Sequence, residues 1–585
     1  MGLLFEHGRL WRHIFGLRLS LDHIWILALL GLIWLFLCLA PLPANDLWWH
    51  MAAGRTMVEE RALLTTNRWA YSLPADTPYV YQSWLSEILM YALYQLGREP
   101  LLSLSRTLVI VISYGLVAWH ALRRSMNGMA VGLALFCAMM AGWGNWTLRP
   151  QTLALLPGSA FIVILGEYLA GRLSSRWLMA LPALTLLWVN MHGSFVLAVA
   201  LTGLSWLGTL LDTLRNDIDR PRREQVRMLT VILLSVITAT LLNPLGWDIY
   251  NYVRMMLANE SLQRWFIEWQ PPVANLDLRN AGFWFFFLVL LIAALMAVGR
   301  RRPSGSDLLW YCGLSWLCFD GIRYVMWFAL FLTPLLAERI AVLVPVRKRP
   351  SVSPMATMSI VAGLIVLVIA TLPWFLPVRY LGPAAEANFA TAGPYRLLLD
   401  SNTPVAASEW LAQRSFPGRF WTDMSFSSYT IWRLPEKQVF ADLRVELFPT
   451  KVWEEYFAIA RGDRQSLDVI DRWDISHLLL DLHNQEALAR LLSNTPGWCE
   501  AFREDRMAIY ARCELLMEIE HLIRYAPLPV GLKPSAMQCE ARLRGRERNN
   551  SSKTIRPRLS RAKPACAERE LQCRAFAPLC KSIRH

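Results

Sequence analysis

The chain has 585 residues, of which 55% are hydrophobic and only 18% charged, with 27 tryptophans. Soluble domains carry about 25% charged residues, so this composition excludes a disordered chain, a small disulfide scaffold and an ordinary cytosolic enzyme, and points to a polytopic membrane protein. The net charge of +14 is misleading: residues 537–585 hold 13 basic and 4 acidic groups, leaving 46 against 41 elsewhere, so the body is not a nucleic-acid binder by charge.

A spanning helix needs about 20 apolar residues. The first candidate, Ile24–Ala40, follows Arg9, Arg12 and Arg18; its apolar run is longer than a signal-peptide core, so it reads as a retained anchor. Ten more runs follow at Leu101–Leu122, Gly128–Trp146, Thr152–Ala170, Trp177–Val189, Phe195–Leu214, Met228–Leu242, Ala281–Gly299, Leu308–Phe319, Tyr324–Leu343 and Met355–Leu376. Basic clusters at Arg123–Arg124, Arg172/Arg176, Arg215–Arg227, Arg300–Arg302 and Arg347–Arg349 all fall inside if the N-terminus is cytoplasmic. The expected organisation is therefore a cytoplasmic N-terminus (1–23), an all-α membrane domain of about eleven helices (24–376) with a long first outer loop (41–100), an extracytoplasmic domain (377–515), and a basic, disordered tail (516–585).

Three inward-to-outward runs, Trp177–Val189, Met228–Leu242 and Leu308–Phe319, are short, covering roughly 18–23 Å of a hydrocarbon core about 30 Å thick. Each ends in breaking or polar residues: Asn190-Met191-His192-Gly193, Asn243-Pro244-Leu245-Gly246 and Asp320-Gly321-Ile322-Arg323. Such segments are tolerated at membrane depth beside protein or a water-filled cavity, so a polar cavity open to the outside is expected.

The first outer loop opens with Asn45-Asp46-Leu47-Trp48-Trp49-His50. A helix from here to about Glu60 would put Asp46 and His50 on one face, where an acid and an imidazole could activate a hydroxyl or bind a cation; Asp46 as a plain helix cap and the tryptophans as an interfacial belt are the simpler readings. The loop closes with Ser83–Tyr91, an amphipathic helix on the membrane carrying Glu87 as a candidate acid or as part of a solvated face. Arg149-Pro150-Gln151, Asn190, His192, Asn243, Glu268-Trp269, Asp320 and Arg323 gather on the same side. Arg149, Gln151 and Arg323 suit a phosphate; Trp49, Asn190, His192, Asn243, Glu268 and Asp320 would line the cavity, unless Arg323 merely pairs with Asp320. No nucleotide-binding, zinc-protease or serine-hydrolase motif occurs.

This arrangement resembles the C-type superfamily of membrane glycosyltransferases, and within it uncharacterised bacterial multi-spanning proteins, through Asp46-Leu47-Trp48-Trp49-His50, Trp84-Leu85-Ser86-Glu87, Arg149-Pro150-Gln151, Asn190-Met191-His192-Gly193 and Asp442-Leu443-Arg444 over about residues 20–515. The resemblance implies a multi-pass protein of the bacterial inner (plasma) membrane that moves a hexosyl or pentosyl group from a polyprenyl-phosphate donor to a glycan, lipid or protein acceptor on the outer face. Asp46, with His50 and Glu87, would be catalytic, or Asp46 would hold a divalent metal; Arg149 or Arg323 would hold the donor phosphate. Members of the superfamily often carry two neighbouring acids in this loop, and Asp46 stands without one. Transport or lipid handling, and a non-catalytic assembly role, are the alternatives.

Beyond Pro404 the patterns alternate: a helix at Val405–Gln413, a strand at Gln438–Leu447 with Asp442, Arg444 and Glu446 on one face, a helix at Trp453–Arg461, a buried strand at Ser476–Leu480, a helix at Asn484–Leu492 and a strand at Met507–Ala511. This predicts a small α/β layer domain. Cys499 and Cys513 would pair in an oxidising compartment. Cys38, Cys137, Cys312 and Cys318 sit in apolar runs as small hydrophobes.

Overall fold

A computed structural model of the chain describes residues 21–215, 220–299, 302–344, 352–375, 398–414 and 416–525. Arg9, Arg12 and Arg18, Arg300 and Arg301, the basic cluster Arg347–Arg349, and residues 526–585 of the tail with Cys539, Cys566, Cys573 and Cys580 lie outside the described residues. The chain forms two compact units, Met1–Leu515 and Leu516–His585; of the second, only Leu516–Tyr525 are described, and they are helical.

The first unit is mostly helical. Among the described residues six helices are long and apolar enough to cross a membrane: Asp22–Leu39, Trp84–Ser125, Gly128–Asn145, Pro150–Leu169, Gly193–Arg215 and Ala281–Val298. The run 322–343 is a bent pair, Ile322–Phe331 and Thr333–Leu343, at 54°. The bend has a covalent cause, because Pro334 has no N–H to donate and its ring crowds the preceding turn. The short runs form helices at Ala180–Met191, Arg220–Thr240 and Gly305–Asp320. Close helix approach is built on small residues: a Cβ at Gly208 would lie 2.3 Å from the backbone nitrogen of Ser306, so only a glycine there lets the helices Val196–Arg215 and Gly305–Asp320 meet backbone to backbone.

The expected helix on Ser83–Tyr91 and the run Leu101–Leu122 are one element, Trp84–Ser125, broken at Gly97 and Arg98, where Arg98 takes φ 54°. Leu96 just before the break is 81% exposed.

A four-stranded sheet sits in the C-terminal part of this unit: β1 (Arg419–Thr422), β2 (Ile475–Asp481), β3 (Trp498–Glu504) and β4 (Met507–Arg512). Its order is β1-β2-β4-β3; β1 runs parallel to β2, and the other pairs are antiparallel. The central β2 is buried on both faces except at Ser476, which accounts for the apolar run Leu478–Leu480 at its centre. Helices Met424–Arg433, Thr450–Arg461 and Arg464–Arg472 make the crossover between β1 and β2. Cys499 and Cys513 are disulfide-bonded, tying β3 to the end of β4.

Gln438–Leu447 does not form the strand its alternation suggests. It touches neighbouring strands only through bridges of Val439 to Ala70 and Phe420, and Val445–Leu447 is a 3₁₀ turn. Asp442 and Arg444, expected on one face of that strand, are both fully buried and bonded to each other. A segment that closes its own charges in this way cannot keep a regular ladder.

Candidate functional site

The helix Leu47–Glu60 begins directly after Asp46, yet the Asp46 side chain makes no cap hydrogen bond. Ser428, from helix Met424–Arg433, supplies it: its hydroxyl accepts from the Trp49 backbone N–H at 2.9 Å and donates to the Asn45 carbonyl at 2.7 Å. The Asp46 carboxylate is thereby left to face Arg149, with Oδ2 3.3 Å from Nη1. Capping is thus divided between two halves of the chain, and the plain-cap reading of Asp46 does not hold. The interfacial-belt reading of the tryptophans fails as well: Trp48 and Trp49 are buried, Trp48 edge-on to Tyr429 at 4.9 Å.

His50 lies one turn further on, its Nδ1 2.8 Å from Glu87 Oε1. Glu87 is only 1% exposed, so it is no solvated-face acid. The contact depends on Gly54, where a Cβ would lie 2.1 Å from the Glu87 carbonyl oxygen; a larger residue would force apart the two helices that carry this pair.

Arg149 precedes a one-turn helix, Pro150–Leu153, with Pro150 in the first-turn position its fixed φ favours. Its Nη1 lies 3.1 Å from Glu268 Oε2 as well as near Asp46, its Nη2 donates to Asn145 Oδ1 at 2.9 Å, and its buried Nε has no protein acceptor. Glu268 reaches a second guanidinium, Arg323, at 3.6 Å. Arg323 also stands 4.0 Å over the Trp269 ring and meets Gln151 Oε1 at 3.5 Å. One carboxylate thus bridges two arginines, with a second carboxylate, Asp46, at one end.

These positions set the charges. The two guanidiniums hold the Glu268 carboxyl at about 2, well below the usual carboxylate range, against the opposing effect of burial. Burial pushes the Asp46 carboxyl up, with Arg149 opposing and Glu268 reinforcing. Burial, aided by His192 and Arg149, holds His50 well below its ordinary value, so its imidazole is neutral near pH 7.

The remaining expected residues make no hydrogen bond to this row, although His192 stays within electrostatic reach of it. His192 caps the following turn, its Nδ1 accepting the Ser194 N–H at 3.0 Å. Asn190 is a tie, accepting from the Trp84 indole at 2.9 Å and donating to the Leu242 carbonyl at 3.1 Å. Asn243 closes its own turn, accepting from the Leu245 N–H at 2.8 Å. Asp320 is exposed, and the acid at Arg323 is Glu268, which corrects the expected Asp320–Arg323 pair. Among the described residues no three His, Cys, Asp or Glu side chains come together to hold a metal ion. The neighbour of Asp46 is a guanidinium, so this donor set does not fit the divalent metal.

A second cluster joins Asp442, Arg444 and Glu446 to Asn67, Tyr79 and Tyr81, partners the sequence did not indicate. Arg444 gives Nε and Nη2 to Asp442 at 2.9 and 2.7 Å, Nη2 also to Asn67 Oδ1 at 3.0 Å, and Nη1 to the Tyr81 hydroxyl at 3.1 Å. Beside it the Tyr79 hydroxyl donates to Glu446 Oε1 at 2.7 Å. Burial pushes Tyr81 up to about 12, so it stays a donor. Its partners lie more than 360 residues apart; the local signal was the tyrosine pair at 79 and 81 in a loop that otherwise offered no reason for aromatics.

No protein-family model matches the sequence, and no curated protein matches it. Among solved structures it is similar to the Archaeoglobus fulgidus oligosaccharyltransferase in the apo form, at 11% identity over 80% of this chain and 71% of that one, TM-score 0.48. It is similar also to ArnT from Cupriavidus metallidurans bound to undecaprenyl phosphate, at 14% identity over 84% and 98% of the two chains, TM-score 0.48. The oligosaccharyltransferase tethered to an acceptor peptide containing the NVT sequon matches at 12% identity over 84% and 74%, TM-score 0.45.

Proposed function

We propose that this protein is a multi-pass membrane glycosyltransferase that moves a sugar from a polyprenyl-phosphate-linked donor to an acceptor on the extracytoplasmic face. The observation that carries the reading is the row Asp46–Arg149–Glu268–Arg323, a carboxylate beside two arginines that share one bridging acid. In this reading the eleven apolar runs are eleven spans, the N-terminus is cytoplasmic, residues 24–376 form the membrane domain, and residues 377–515 stand outside the inner membrane.

The donor phosphate takes the place of the Glu268 carboxylate on Arg149 and Arg323, whose forks suit its oxygens. The acceptor hydroxyl oxygen attacks the anomeric carbon. The bond from that carbon to the phosphate oxygen breaks, and its electron pair leaves with the phosphate, where the arginines stabilise the developing charge. The acceptor proton passes to Asp46, whose raised carboxyl is a better base than an ordinary aspartate. Glu87 fixes the orientation of His50 beside it.

The test is native mass spectrometry of the detergent-solubilised protein with added undecaprenyl phosphate, beside Arg149→Ala and Arg323→Ala. Retention by the wild type and loss in either variant is expected. Equal retention by all three removes the donor site from this cluster.

A further inference from the structure

A cleft of about 380 Å³ opens between Asn259–Ser261 and Glu446–Thr450, within the range of about 300–1,000 Å³ usual for ligand sites. Its walls come from distant parts of the chain and are pinned together. The Ser261 and Thr450 hydroxyls are 2.8 Å apart, Trp265 stacks on Phe457 at 4.7 Å, and Phe266 meets Trp453 edge-on at 5.1 Å. A cleft held at three points keeps its shape without a ligand, the condition for cheap binding.

Its charge is one-sided. Glu260 is exposed at the mouth and Glu446 half-buried within, and none of the described residues lining it is basic. Asn259, Ser261 and Thr450 add neutral polar groups, and Phe448 gives an apolar floor. Glu446 is fixed by the Tyr79 hydroxyl and stands two residues from the clamped Arg444. Burial pushes the Glu446 carboxyl up, against the Tyr79 hydrogen bond and the Arg444 and Arg323 guanidiniums that favour its ionised form. The arginine row and the cleft are opposite in character: arginines for an anion in one, carboxylates that repel one in the other.

We propose that this cleft is the acceptor subsite, and that Glu446 and Glu260 select a glycan headgroup that presents hydroxyl or ammonium groups and no anionic group. The assignment of the word acceptor rests on the glycosyl-transfer reading above; the selectivity of the cleft does not.

The experiment uses the full-length protein in lipid nanodiscs, titrated calorimetrically with three trisaccharides: of glucosamine (cationic), N-acetylglucosamine (neutral) and galacturonic acid (anionic). The expected order is cationic tightest, then neutral, with the anionic trimer at least tenfold weaker than the neutral one. Glu446→Gln, which keeps the hydrogen bond to Tyr79, and the exposed Glu260→Gln should each weaken the glucosamine trimer several-fold; Thr450→Trp, which fills the cleft, should abolish binding. Binding of the galacturonate trimer as tightly as the others, affinities untouched by all three variants, or no binding of any trimer overturns the proposal. Undecaprenyl phosphate retention is measured on the same samples and should be unchanged in the variants. Retention without trimer binding sinks the cleft alone; selective trimer binding without retention sinks the donor site and leaves a carbohydrate site standing.

Discussion

Replacing Arg444 by Met tests what holds the loop carrying Asn67 and Tyr81 to the C-terminal part of the unit. Arg444 and Asp442 are both 0% exposed, so the substitution leaves a carboxylate in the interior with only the backbone N–H of residue 444 as a partner. The other partners lose less: Asn67 Oδ1 still accepts from the Ala70 N–H, and the Tyr81 hydroxyl still donates to the Thr66 carbonyl. The cost is therefore mainly the uncompensated Asp442 charge, about 3–5 kcal/mol. At a factor of ten for each 1.4 kcal/mol, this raises the population with the seam open roughly 140- to 3,700-fold. Native-state proteolysis under conditions where closing outruns cleavage reads that population directly, as accelerated cutting within residues 61–83 and 434–449. The double variant Asp442→Leu/Arg444→Met removes both charges and should recover most of the protection. A single variant cut no faster than wild type, or a double variant as fragile as the single, refutes the argument that a desolvated charge pair closes this seam.

If Asp46 is the base, turnover requires its carboxylate. The group's pKa is raised above the ordinary value of about 3.9, so the rate should fall as pH drops through that higher value, and Asp46→Asn should abolish turnover while lipid retention survives; a retained acid limb in the variant assigns the limb elsewhere. Gly54→Ala places a methyl against the Glu87 carbonyl and should destabilise the protein by about 1–3 kcal/mol, with turnover lost as His50 and Glu87 separate; a variant of wild-type stability contradicts the close approach. Replacing Cys499 and Cys513 by Ser opens a loop with a sequence separation of 14 and should cost about 3 kcal/mol, read in urea unfolding. Unreduced wild type, denatured, should show neither thiol to a maleimide; labelling of either argues against an oxidising compartment for this domain.

The helices were legible because lipid imposes a simple requirement, a long apolar run. The arginines and Asp46 were legible as a group because polar residues at the ends of apolar runs must find partners, and Asp46, Arg149, Glu268 and Arg323 do meet. Pairings within the group were not. Arg323 has Asp320 three residues away, yet its acid is Glu268, because the helix ending at Asp320 leaves that side chain in solvent while the 3₁₀ turn at Ile267–Trp269 presents Glu268 to both guanidiniums. Glu87 looked solvated because its burial is made by another helix, and Gly54, which permits that contact, has no side chain to announce it. The false strand at Gln438–Leu447 has a related origin. Alternating charges imitate a strand with one wet face, whereas Asp442 and Arg444 pair with each other and with Asn67 and Tyr81. β1 has only four residues and β3 exposes polar groups along its length, so neither rose above the loops around it.

Leu42 exchanges backbone hydrogen bonds with Leu398 and Asp400, and Ser428 completes the turn that carries Asp46. The order of synthesis gives these contacts a temporal meaning. Asp46 leaves the ribosome early, but the groups that hold it in place are translated some 350 to 400 residues later, an interval of roughly 20–80 s at about 5–20 residues per second. Throughout that interval the chain can insert its helices with its acidic centre unassembled. A polypeptide truncated before residue 398 would lack the contacts of Leu398, Asp400 and Ser428 with the turn that carries Asp46, so the site can take its final form only after those residues have been made.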